Sequence, residues 1–230
     1  MTKVLERYQA LVAAGELRAD PDQAAAARRL DHLAHELEQG PRKGSVLWRL
    51  ARRAPEAPKG VYMWGGVGRG KSMLMDLLFQ TVKIERKRRV HFHEFMIEVH
   101  ARIAEERKKE AGDPIVPVAK ALTHNLRLLA FDEMVINNAA DAMILSRLFT
   151  AMMAEGLTVV ATSNRPPDDL YKDGLQRDSF LPFIALLKDK LDILPLNGPT
   201  DYRRDRLGLM DMWLVPNSPA NTATLSAAFF

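Results

Sequence analysis

The sequence predicts an α/β fold in three layers, a parallel sheet of about five strands with helices on both faces and a helical extension ahead of it. Three observations point there. A short apolar run, residues 60–64, enters a glycine-dense turn over 65–70 and continues into a helix whose inward residues are Met73, Leu74, Leu77 and Leu78. Two further apolar runs of strand length end in polar residues, 126–131 in Asp132-Glu133 and 157–162 in Ser163-Asn164-Arg165. Strands of a parallel sheet end this way where a ligand meets their carboxyl ends. Between these two runs, Ile144, Leu145, Leu148 and Met152 recur at helical spacing over 139–154.

A chain of 230 residues buries about 70% of its unfolded surface, enough for a substantial core. It has no cysteine, which excludes disulfides and thiolate metal sites and fits a reducing compartment. No apolar run approaches the ~20 residues of a membrane helix, and the N-terminal residues lack the apolar core of a signal peptide. The expectation is a cytoplasmic protein without an integral membrane segment. With 33 Lys and Arg against 29 Asp and Glu, the net charge of +4 permits an acidic partner without demanding one.

The first forty residues read as two helices packed as a hairpin. Asp20 is placed to cap the second helix, with Pro21 at its first position and Gln23 able to close a capping box. Ala26, Leu30, Leu33 and Leu37 form the inward stripe, Arg28, Arg29, Asp31, Glu36 and Glu38 a solvated face, and Gly40-Pro41 the stop. Residues 41–59, with Pro41, Pro55 and Pro58 and the basic residues Arg42, Lys43, Arg49, Arg52 and Arg53, read as a mobile connector. After the glycine turn and its helix, residues 83–89 read as a solvated basic turn rather than a nucleic-acid contact, since no aromatic residue interleaves them. A strand over 90–93 then precedes a helix from about 94 to 110. His91 and His93 fall on one strand face with Glu94 and His100 nearby, and packing or hydrogen bonding is the expectation, with zinc as the alternative. Gly112-Asp113-Pro114 opens a loop leading to the acidic strand. The last strand is 191–194, behind a helix.

The chemistry concentrates at the strand ends. Gly65, Gly66, Val67, Gly68, Arg69, Gly70, Lys71 and Ser72 satisfy G-x-x-x-x-G-K-[ST], in which successive main-chain N–H groups wrap a nucleotide's phosphates at a helix N-terminus. Lys71 would reach the β- and γ-phosphates, and the Ser72 hydroxyl would hold Mg²⁺. Asp132 would support that Mg²⁺, usually through water, while Glu133 would orient and polarise the attacking water. Asn164 is a candidate to hold the same water. Arg177, with Arg165 as second choice, could cross a subunit interface and neutralise charge in a neighbour's site. The reaction these roles make is Mg²⁺-dependent hydrolysis of ATP.

The order phosphate loop, Asp-Glu strand, Thr-Ser-Asn strand, arginine is that of an AAA+ ATPase. The strings Gly65-Gly66-Val67-Gly68-Arg69-Gly70-Lys71-Ser72, His91-Phe92-His93-x-Phe95-Met96, Leu129-Ala130-Phe131-Asp132-Glu133, Ala161-Thr162-Ser163-Asn164-Arg165-Pro166-Pro167 and Arg177-Asp178-x-Phe180-Leu181-Pro182-Phe183 resemble the ZapE cell-division ATPase family and its mitochondrial AFG-type relatives. The likeness spans about Leu5 to Leu214. It implies a helical extension and connector over 1–59, an AAA+ core over 60–206 and, over 207–230, the partly disordered start of a C-terminal lid cut short at Phe230. It also implies a nucleotide-dependent homo-oligomer that acts on the tubulin-like polymer of the division ring. After the acid pair, Met134-Val135-Ile136-Asn137-Asn138 departs from the family's aromatic and further aspartate. Two other readings compete: a nucleotide-binding remnant that does not hydrolyse, and a DNA-directed AAA+ loader. No nucleic-acid partner is expected.

Overall fold

The computed structural model describes residues 3–39, 57–109 and 112–198. In chain order these form α1 (Val4–Ala13), α2 (Pro21–Gln39), β1 (Gly60–Trp64), α3 (Lys71–Thr81), β2 (Lys87–His91), α4 (Phe92–Arg107), α5 (Ile115–Thr123), β3 (Leu128–Asp132), α6 (Ala139–Ala154), β4 (Thr158–Ser163), 3-10 turns at Pro167–Asp169 and Arg177–Ser179, α7 (Leu181–Lys190) and β5 (Leu191–Pro195). The connector over 41–56, the boundary at 206 and the segment 207–230 lie outside the described residues.

The five strands found among the described residues run parallel in the order β2-β3-β4-β1-β5. Because side chains alternate along a strand, each inner strand feeds two cores. Val61 and Met63 of β1, Leu128 and Ala130 of β3 and Val160 of β4 join α1, α2 and α3 on one face. Tyr62, Leu129, Phe131, Val159 and Ala161 join α4 to α7 on the other. This second core is aromatic. Phe131 packs edge-on against Phe95 at 4.8 Å and at 5.6 Å from Phe149, and Phe149, Phe183, Phe180 and Tyr171 continue the run at 5.0–5.5 Å. The three layers and the parallel five-stranded sheet are those the sequence predicts.

Several local expectations are corrected. The second strand begins earlier than expected, so Lys87, Arg88 and Arg89 are not a solvated turn but half-buried rungs of an edge strand. Helix α4 starts at Phe92 because Phe92, Phe95, Met96, Val99 and Ile103 repeat at helical spacing and are all buried. His91 therefore ends a strand while His93 is in a helix, and the two share no strand face. His100 bonds Asp141 instead, at 2.6 Å. The expected loop after Pro114 contains α5, whose Ile115, Val118, Ala119 and Leu122 are buried. Pro114 precedes the helix and Pro117 lies in its first turn, where a missing N–H costs no helical bond.

Asp20 caps α2 as expected, its Oδ1 accepting from the N–H groups of Asp22 (2.8 Å) and Gln23 (3.0 Å). Gln23 does not close a capping box; it reaches the phosphate loop. The outer face of α2 is less solvated than expected. Asp31 accepts from the N–H of Val4, Glu38 from that of Lys83, and Arg29 donates to Asp192 on β5 at 2.6 Å.

The last contact has a pH signature. Burial pushes the Asp192 carboxyl up, but hydrogen bonds from Arg29 and Lys59 outweigh it and hold the group below its ordinary value. A carboxyl depressed by folding contributes stability that is complete above its unfolded value, ~3.9, and is lost as pH falls through the folded value. Asp192→Asn should therefore cost about 1 kcal/mol or less at pH 7 in urea unfolding, and the gap from the parent should close as the pH is lowered below about 4.

Candidate functional site

The glycine turn after β1 is shaped by what it touches. Gly65 has φ of +156°, and a Cβ there would lie 2.3 Å from the carbonyl oxygen of Leu196, whose own N–H bonds Trp64 O at 2.7 Å. Only glycine lets the chain leaving β5 lie across the start of the loop. Gly70, at φ +81°, turns the loop into α3. Leu74 is the first residue whose N–H bonds back into the turn, to Gly70 O at 3.0 Å, so the amides ahead of it point out of the helix end. That end, with its positive dipole, suits an anion.

Lys71 is buried, and its ammonium donates to the carbonyl oxygens of Gly65 (2.7 Å) and Gly66 (2.6 Å). These are oxygen acceptors that phosphate oxygens can replace, so the donor set fits a polyphosphate. Ser72 is exposed at the same helix end, as is Val67 in the loop. The Arg69 side chain faces the other way. Its guanidinium donates to Leu196 O (3.1 Å) and to Asp20 Oδ2 (3.1 Å), in an ion pair only 5% and 4% exposed. Arg69 O accepts from Gln23 Nε2 at 3.2 Å. Arg69 thus contributes to the loop through its main chain, while its side chain fastens the loop to α2.

The strand ends converge on this loop through main-chain bonds. Gly65 N–H donates to Ser163 O (3.3 Å), Met134 N–H to Thr162 O (2.7 Å) and Ser163 Oγ to Met134 O (2.8 Å). The phosphate loop, the acid pair at 132–133 and the end of β4 are therefore stitched side by side. Asp132 is buried. Its Oδ2 accepts from Arg89 Nε at 2.8 Å and also from Nη2, and its Oδ1 lies 3.4 Å from Thr162 Oγ1. Glu133 is exposed, in a left-handed conformation (φ 52°) fixed by its N–H donating to Thr162 Oγ1 at 3.0 Å. A non-glycine residue rarely takes this conformation, which turns the carboxylate out of the sheet's edge. Asn164 is exposed immediately after Ser163.

Arg177 is not drawn into this group. Its guanidinium donates to the carbonyls of Leu170 (2.8 Å) and Asp168 (2.5 Å), closing the loop that ends at α7. Arg165 is exposed, and its guanidinium makes no hydrogen bond or ion pair among the described residues. Sequence reasoning missed Thr162, Arg89, Asp76, Asp20 and Gln23. Asp76 carried a usable signal, as it follows Ser72 by four residues and so shares its helix face.

The family model for AFG1-like ATPases matches residues 2–230. The Escherichia coli cell division protein ZapE is 43% identical over 171 residues, covering 74% of this chain and 45% of that protein. A zebrafish protein, lactation elevated protein 1 homolog B, is 42% identical over 185 residues, covering 76% and 37%. The chain spans about half the length of the curated relatives it matches. Among solved structures, AMPPCP-bound DnaA of Aquifex aeolicus aligns with a TM-score of 0.52 at 14% identity over 86% of this chain and 55% of that one. Domain III of Thermotoga maritima DnaA gives 0.52 at 16% identity over 87% and 75%. At this identity the likeness is one of fold.

The buried Asp20–Arg69 pair gives the loop's attachment a measurable cost. Asparagine at position 20 still caps α2 but removes the anion beside a buried guanidinium, a loss of about 3–5 kcal/mol. Urea unfolding of Asp20→Asn should show a midpoint well below the parent's with an unchanged slope.

Proposed function

Because the chain belongs to the AFG1-like ATPase family, we propose that it binds ATP with Mg²⁺ at the carboxyl edge of its sheet and hydrolyses the γ-phosphate bond. The observation that carries this reading is the run of main-chain bonds from Gly65 to Ser163 and from Thr162 to Met134. It supports a single site in which phosphates on the loop face the acid pair. Main-chain N–H groups of residues 66–71 cradle the phosphates, and Lys71 exchanges its two carbonyl acceptors for phosphate oxygens. Ser72 and Asp132 hold Mg²⁺, which when bound neutralises charge on the β- and γ-oxygens. Glu133 polarises the attacking water, and Asn164 holds that water against the γ-phosphate.

The nucleotide core of this reading is 60–206, with a lid beginning at 207. The protein is cytoplasmic and assembles with copies of itself on nucleotide. Its substrate is a protein partner. The E. coli relative is named a cell division protein, and we extend that role to this chain, with the tubulin-like polymer of the division ring as the partner. In the assembly Arg177 leaves the carbonyls of Asp168 and Leu170 and serves the neighbouring site, with Arg165 as the comparison.

Calorimetry with ATP and phosphate-release assays test the first step. Glu133→Gln should bind ATP as the parent does, while turnover falls by about 10²–10⁴. Turnover that is undetectable in the parent and unchanged in the variant would leave a nucleotide binder, not an enzyme. The trans role is tested by mixing. Glu133→Gln and Arg177→Ala should each be inactive alone but together recover turnover, because the first supplies arginine to the intact site of the second. Recovery with Arg165→Ala instead would move the role to Arg165. Light scattering should show a rise in mass on adding ATP.

A further inference from the structure

Arg89 comes from the stretch that the sequence presents as a solvated basic turn, yet it bridges the two elements that carry the metal-facing groups. Its Nε donates to Asp132 Oδ2 at 2.8 Å, Nη2 donates to the same oxygen, and Nη1 pairs with Asp76 Oδ1. Asp132 is on β3. Asp76 is on α3, one turn beyond Ser72 and on the same helix face. The Asp132 side chain is 7% exposed and that of Arg89 29%. The guanidinium therefore spans from the Ser72 helix to the Asp132 strand.

We propose that Arg89 is a positioning residue for the magnesium-holding pair Ser72 and Asp132. This rests on the MgATP reading above. A planar guanidinium fixes both the position and the direction of a carboxylate, which an ammonium cannot do. By occupying Oδ2 it leaves Oδ1, which accepts from Thr162 Oγ1 at 3.4 Å, as the oxygen that would serve the cation or its water. By holding Asp76 as well, it sets the gap between helix and strand in which a divalent ion and its water must fit. The two carboxylates and the guanidinium sum to one negative charge, so the strut does not cancel the field that attracts the ion. Residues that orient a metal ligand in this way typically change metal affinity by about 10–100-fold when removed.

The test separates binding of the nucleotide from the increment that metal adds. ATP is titrated into the parent, Arg89→Met, Arg89→Lys and Asp76→Asn, once with EDTA and once with excess Mg²⁺, and Mn²⁺·ATP bound to each is read by electron paramagnetic resonance. Arg89→Met should keep the parent's affinity in EDTA but lose about 10–100-fold of the metal-dependent gain, with an altered Mn²⁺ spectrum. Arg89→Lys should fall between parent and Arg89→Met, and Asp76→Asn should lose less than Arg89→Met in the same direction. These two variants carry the test if Arg89→Met does not fold. An equal loss with and without metal would make Arg89 a structural residue only. A larger metal gain in the variants would make it a competitor of the cation, and an unchanged gain would remove it from the site. Any of the three overturns the proposal. A parent that binds no ATP in either condition overturns the functional reading itself.

Discussion

The geometry at the carboxyl edge depends on one constraint, the register of β4 between β1 and β3. Trp64 pairs with Ser163 across one side of β4, and Phe131 pairs with Ala161 across the other. A parallel strand shifted by one residue would turn every side chain to the opposite face, so the two apolar cores fix this register without help from the site. Once it is fixed, Thr162 and Ser163 have no freedom about what they meet. The Thr162 hydroxyl accepts from Glu133 N–H and lies against Asp132, and the Ser163 hydroxyl reaches Met134 O. Packing far from the chemistry therefore determines which polar atoms become neighbours at the edge.

Charge supplies a second level of order. A buried ion pair adds little net stability, because desolvation offsets most of its Coulomb energy. Its value here is in orientation. Asp20–Arg69 and Arg89 with its two aspartates each tie a helix to the loop or strand beside it, in partly or fully buried surroundings where an unpaired partner would be costly. The two sets use the same principle on opposite sides of the phosphate loop. One fastens the loop to the N-terminal helices, and the other spans from the loop's helix to the acidic strand.

The three-layer architecture, the glycine loop, helix α6 and strands β1, β3, β4 and β5 could be read from the sequence because each rests on a local pattern. Gly65 and Gly70 are required by backbone conformation, and the apolar runs are required by burial. Elements whose signal is not local were misread. Arg88 and Arg89 look like a solvated turn until β3 is present to pair with them. Helix α5 is hidden by prolines that are tolerated only because they fall at its start. Gln23 satisfies a capping pattern, yet its amide is drawn 46 residues along the chain to Arg69 O. For Arg88, Arg89 and Gln23 the deciding partner is distant in sequence, and composition carries no trace of it.

The first two helices are more than an appendage to the sheet. Leu30, Leu33, Leu37, Val4 and Tyr8 lie in the same apolar cluster as Val61, Met63, Leu74, Leu78 and Val160, all of them buried. A protein engineered to begin at residue 60 would keep the motif that identifies the nucleotide core yet leave one wall of the sheet wet, with an oily face open to self-association. The smallest portion of this chain able to stand alone in water must carry its hairpin with it.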